Sequence, residues 1–119
     1  MKEYDLKERT KRFALQIIKV VQGLPKGRTA DILGGQLLRA GTSVGANYRS
    51  ACRAKSPADF VSKMGIVEEE ADESIYWMEL LIEAGIIKAA ELEFLMREAN
   101  ELLAIAVSSI KTARRNKSK

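Results

Sequence analysis

The stretch ILGGQLLRAGTSVGANYRSACRAK, residues 32–55, decides how this chain folds. Leu33, Leu37, Ala40, Val44, Asn47 and Ala51 recur in steps of four and three. So do Gly34, Leu38, Gly41, Gly45, Tyr48 and Cys52, one position further on. Such a step averages about 3.5 residues and keeps each stripe on one face of a supercoiled helix. The first stripe is apolar and branched, and the second is small. Glycine inside a helix costs roughly 1 kcal/mol against alanine, so Gly34, Gly35, Gly41 and Gly45 together cost about 3–4 kcal/mol. Close approach of a second backbone offsets such a cost. The reading is a helix buried on two sides, with Gly34, Gly41 and Gly45 at a helix–helix or subunit contact.

Asn47 is the polar residue of the apolar stripe. It either fixes register and oligomer state, as polar residues in coiled-coil seams do, or bonds to nearby backbone. Cys52 reads as a small buried hydrophobe, and one cysteine excludes an internal disulfide framework.

Outward from this helix, the same step repeats. Leu6, Thr10, Phe13, Ile17 and Val20 define helix one, about residues 4–23, closed by the breakers Gly23 to Gly27. Helix two then covers about 29–54, with Thr29 as the expected cap. Ser56-Pro57-Ala58-Asp59 starts helix three, about 57–84, with a capping residue, a first-turn proline and a capping-box acid. Its seam is Phe60, Met64, Val67, Ala71, Ser74, Met78 and Leu81. A flanking line holds Ile66, Glu70, Glu73, Trp77 and Leu80, which makes Trp77 a further packing or oligomer contact. Helix four covers about 88–113, and residues 114–119 form a frayed basic tail.

Four such helices joined by short loops predict one all-α domain, residues 1–119. The architecture is an antiparallel, up-down-up-down, left-handed four-helix bundle. Helices two and three carry more apolar surface than one core uses, which favours a homo-oligomer.

Charge is partitioned along the chain beneath a net +4. Residues 1–55 hold 12 Lys/Arg and 4 Asp/Glu; residues 56–101 hold 3 and 12; residues 102–119 add 5 basic residues and no acid. Two uses follow. Arg39, Arg49 and Arg53 of helix two are expected to pair with Glu70 and Glu73 of helix three. Lys7, Arg9, Lys11 and Arg12 of helix one, with Arg114, Arg115, Lys117 and Lys119, offer a surface for nucleic acid. The competing reading is a set of solvated faces.

Little catalytic chemistry is available. There is no histidine, the commonest general base and metal ligand. The carboxylates Glu68 to Glu73 are spaced so that a hard cation fits, but a solvated or Arg-paired face has the stronger claim. No catalytic residue, cofactor or metal is expected. No apolar run of about 18 residues exists, so no membrane partner is expected. The N-terminal residues lack a signal-peptide pattern, which points to the cytoplasm.

Gln36-Leu37-Leu38-Arg39-Ala40-Gly41-Thr42-Ser43-Val44-Gly45-Ala46-Asn47 resembles the helix-two signature of a family of small bacterial four-helix bundles. These are the proteins encoded by intervening sequences in 23S ribosomal RNA genes, also called the S23 ribosomal protein family. Ser56 to Phe60, Glu68 to Ser74, and Glu79-Leu80-Leu81 with Gly85 resemble its helix three. Many members follow the Asn with a Glu-Gly pair, where this chain has Ser50 and Ala51 after Tyr48 and Arg49. The resemblance implies a ring-shaped homo-oligomer, often a pentamer. A related member, the accessory protein of diversity-generating retroelements, forms a basic barrel that binds nucleic acid and a reverse transcriptase. The expected function is therefore a non-enzymatic oligomeric bundle that binds RNA, DNA or an RNA-handling protein such as a reverse transcriptase. The alternative is a structural or protein-interaction bundle that binds no nucleic acid.

Overall fold

The computed structural model describes the backbone of residues 3–117 and the side chains of residues 6–116. Four helices account for nearly all of it: α1 (Glu3–Gln22), α2 (Arg28–Cys52), α3 (Pro57–Glu83) and α4 (Ala89–Lys117). No strand occurs among the described residues. They assemble into a rod of 52 × 22 × 21 Å.

The 3.5-residue step explains which faces meet. Phe13 and Ile17, Leu37 and Val44, Met64, Met78 and Leu81, and Leu92 and Ala99 are each at most 1% exposed and form one core. The buried Thr10 and Ser74 hydroxyls are satisfied inside their own helices. Thr10 Oγ1 donates to the Leu6 carbonyl at 2.7 Å, and Ser74 Oγ donates to the Glu70 carbonyl at 2.8 Å. Neither therefore leaves an unpaired group in the core.

Contacts match low numbers on one helix with high numbers on the next. The Cα of Gly34 faces Leu24 and Val21, that of Gly41 faces Ile17, and that of Gly45 faces Thr10. Arg39 of α2 reaches Glu70 and Glu73 of α3, and Arg9 of α1 reaches Glu98 and Glu101 of α4. α2 packs on α1 and α3, and α3 packs on α4. α1 approaches α4 least closely, and the backbones of the diagonal pairs stay apart.

The helix ends follow local chemistry. Ser56 Oγ accepts from the Asp59 N–H at 3.0 Å, while Asp59 accepts from the Lys55 N–H at 3.0 Å and from Lys63 Nζ at 3.2 Å. α3 stops at a Schellman turn. Gly85 sits at φ 74°, its N–H reaches the Ile82 carbonyl, and that of Ile86 reaches Leu81.

Three expectations need correction. α2 begins at Arg28, not at a Thr29 cap. Gly27 takes φ 154°, a region other residues avoid, and its carbonyl accepts from the Asp31 N–H at 2.9 Å. α4 does not end at residue 113 but runs to Lys117. Nothing after Ala113 breaks a helix, and cations favour its C-terminus. Cys52 is exposed, not buried. It is the last residue of α2, two turns beyond Gly45.

Candidate binding surface

α1 does not present its cations as one face. Lys7 and Lys11, one turn apart, lie on the side toward α2. With Arg49 they rim an open groove of about 450 Å³ whose floor is Thr10, Ala14, Thr42, Gly45 and Ala46. The two helices come close along this floor because position 45 has no side chain: a Cβ there would sit 3.0 Å from Thr10 Oγ1. Thr10 and Thr42 both donate their hydroxyl protons to their own helices, Thr42 to Leu38 at 2.8 Å. The groove therefore offers an anion only the ammonium and guanidinium groups of its rim, beside one acid, Glu8. Such contacts hold a phosphate backbone without reading sequence.

Arg9 and Arg12 lie on the other side, toward α4. Arg9 is committed. Its Nε donates to Glu98 Oε2 at 2.8 Å, and its Nη2 donates to Glu98 Oε1 at 2.6 Å and Glu101 Oε1 at 3.0 Å. The Arg9 and Glu98 side chains are only 16% and 14% exposed. The Glu98 hydrogen bonds, opposed by desolvation and aided by Glu101, raise the guanidinium above its ordinary pKa. This bidentate fork closes the lightest helix pair and leaves Arg9 unable to bind phosphate. Exposed Arg12 lines a small hollow with Phe13, Gln16 and Phe94, where Gln16 Oε1 is buried without a partner.

One end of the rod gathers a second set of cations. Leu6 of α1, Phe60 of α3, and Ala113 and Asn116 of α4 line one hollow of about 470 Å³. The start of α1, the α2–α3 loop and the end of α4 therefore share this end. Among the described side chains it carries exposed Lys7, Arg49, Arg53, Lys55, Arg114 and Arg115. Among the described side chains the nearby acids are Glu8 and Asp59, and Asp59 is already bonded to Lys63. Hydrogen bonds from the Lys55 backbone and Lys63 hold the Asp59 carboxyl below its ordinary pKa. The side chain of Lys117 and all of Lys119 lie outside the described residues.

The ion-pair residues divide in the same way. Arg39 is half-exposed and bridges Glu70 and Glu73, whose hydrogen bonds and charge raise its pKa, Glu73 first. Arg49 and Arg53 make no ion pair among the described residues, because they belong to the basic end. A sign of this was present in the sequence, since Arg49 follows Gly41 and Gly45 at steps of four and so shares the glycine face. The Arg9 fork was missed. Its signal was weaker: Glu98 and Glu101 are one turn apart beside the Leu95–Leu102 seam. Asn47 donates to the Ser43 carbonyl at 2.8 Å, so its amide bonds within α2. Trp77 is half-buried on α3 with its ring 5.1 Å from Tyr76, and its Nε1 is buried without a partner. Among the described residues no cluster of metal-ligating side chains occurs, and no helix is long and apolar enough to cross a membrane.

Comparison with known proteins places this arrangement. A family model described as 23S rRNA-intervening sequence protein matches residues 2–108. A crystal structure of a protein of unknown function from the S23 ribosomal protein family of Bacteroides thetaiotaomicron is similar, with a TM-score of 0.83 and 36% identity. The similarity covers 89% of this chain and 98% of that one. The curated proteins hold no match. The family match stops at residue 108, so Arg114 and Arg115 lie beyond it.

Proposed function

The chain belongs to the 23S rRNA-intervening sequence protein family, and on that premise we propose that it is a non-enzymatic, homo-oligomeric bundle whose basic end binds the phosphate backbone of RNA or DNA. The bundle is read as antiparallel, up-down-up-down and left-handed. Its copies stand side by side in a ring, pentameric as the resemblance implies, within the cytoplasm. A ring repeats the basic end around one rim, so a single strand meets several caps and gains avidity without any new contact type. An RNA-handling protein such as a reverse transcriptase is the protein partner that this reading admits.

The observation that carries the proposal is the convergence of Lys7, Arg49, Arg53, Lys55, Arg114 and Arg115 from four separate segments onto one end. Lys7, Arg49, Arg53 and Lys55 make no ion pair among the described residues. Acids elsewhere are placed to neutralise Arg9 and Arg39, not these.

Fluorescence anisotropy of a labelled single-stranded RNA across a salt series tests it. Replacing Arg49, Arg53 and Arg115 with Gln is expected to weaken binding and to flatten the salt dependence by about 0.7 per lost contact. Lys26→Gln, in the α1–α2 loop at the opposite end of the rod, is the control and leaves both unchanged. Affinity and slope that survive the triple replacement contradict the proposal.

The second reading, a structural or protein-interaction bundle, is favoured by the same two ion-pair forks. Arg9 and Arg39 show that basic residues here also serve to lock helices. Absence of binding to RNA and DNA at low salt would select it.

A further inference from the structure

The sides of the rod are polarised as well as its end. α1 and α3 lie on a diagonal of a nearly square cross-section, with their backbones apart. Their outer ridges therefore point away from each other. The α1 ridge carries exposed Lys11, Arg12 and Lys19 around Leu15, which is 53% exposed. The α3 ridge carries exposed Glu69, Asp72 and Glu79 around Tyr76, 52% exposed, with Ile66, 38% exposed, one turn before Glu69. Among the described residues the α1 ridge has no acid apart from Glu8, and the α3 ridge has no base. None of these charged residues makes an ion pair within the chain among the described residues. Each ridge thus holds an apolar centre ringed by charge of one sign, opposite on the two sides.

We infer that the α1 ridge of one copy docks on the α3 ridge of a second copy, a head-to-tail contact that rests on the homo-oligomer proposed above. Charge decides the pairing. Two α1 ridges repel, as do two α3 ridges, so a two-fold contact that matches a ridge with itself is disfavoured. Only the heterologous pairing joins opposite signs. Register supports it. Gly45 stands against Thr10 and Arg39 against Glu70, so a residue of α1 is level with the α3 residue about 55 positions on, and the two helices run in the same direction. In copies standing side by side, Leu15 then comes level with the Glu69–Asp72 turn, between Ile66 and Tyr76. Lys11 and Lys19 come level with the residues on either side of it.

In copies standing side by side and parallel, every basic end falls on one rim.

Charge reversal separates this contact from other outcomes. One variant carries Lys11→Glu, Arg12→Glu and Lys19→Glu. A second carries Glu69→Lys, Asp72→Lys and Glu79→Lys. Mass is read by light scattering after gel filtration, and folding by far-ultraviolet circular dichroism. Each variant alone is expected to fall to the single-chain mass of 13.2 kDa with its helicity intact. Mixing the two restores the wild-type mass, because the acidic ridge of one meets the basic ridge of the other. So does placing all six substitutions in one chain. Wild-type mass in both single variants overturns the contact while leaving the oligomer standing. If the α1 variant keeps its mass and loses RNA binding instead, that ridge is a nucleic-acid surface and the contact is likewise overturned. A wild-type protein of single-chain mass at high micromolar concentration overturns the oligomer and the contact together.

Discussion

Two glycines of α2 make opposite predictions from one substitution. An added Cβ at Gly41 would stand 2.9 to 3.2 Å from three carbons of Ile17, one of them its Cβ, so neither residue yields without backbone movement. Gly41→Ala is expected to lower stability by about 1–3 kcal/mol, less the roughly 1 kcal/mol that alanine returns in helix propensity. At Gly35 nothing lies within 4 Å. Gly35→Ala is expected to raise stability by up to about 1 kcal/mol. Urea midpoints of the two variants measure both, and the same sign in both would contradict close packing at position 41. A stripe of Gly34, Gly41 and Gly45 is legible in a sequence as a place of close approach. Which helix approaches is not, since a missing side chain carries no address. Arg9 shows the limit in another way. Its role depends on Glu98, 89 positions away, and no local pattern distinguishes it from Lys7 or Lys11. Arg9→Gln is expected to cost about 1–2 kcal/mol in chemical denaturation, since it removes charge-assisted hydrogen bonds from a mostly covered Glu98. Arg39→Gln, at a half-exposed pair, is expected to change little.

At the scale of elements, periodicity was enough to find four helices, because each buries a face that repeats every 3.5 residues. Helix ends were legible where side chains make them, as at Ser56 and Gly85. They were not where backbone alone decides, as at Gly27. The pairing of Arg49 and Arg53 failed to be legible for a geometric reason. Arg39 is level with Glu70, so Arg49, ten residues on and about 15 Å further along α2, is level with the first turn of α3. The acidic run starts later, and the one acid there, Asp59, already holds Lys63. The start of α3 carries a pH prediction. Asp59 has a folded pKa below its ordinary 3.8. The unfolded chain therefore binds the proton more readily, and stability falls as pH drops from that value through the folded pKa. Asp59→Asn removes this dependence. Above pH 5 the wild type is expected to melt higher than the variant, and the gap closes in acid. A gap that is constant with pH would remove Asp59 from the account.

The whole molecule is polarised along two directions, and both were hidden in a chain whose net charge is only +4. The basic end joins segments that are distant in sequence, so summing charge by segment located the cations without showing that they converge. The lateral ridges follow from the diagonal placement of α1 and α3. The family supplies the bundle, and the structure supplies the two charged surfaces on which the functional account stands. The most direct test is the affinity of the wild-type protein for a labelled single-stranded RNA, followed from low to physiological salt. Roughly four to six phosphate contacts at a basic end predict a plot of log affinity against log salt with a slope of about −3 to −4. Absence of binding at low salt, or an affinity that does not move with salt, would contradict the account.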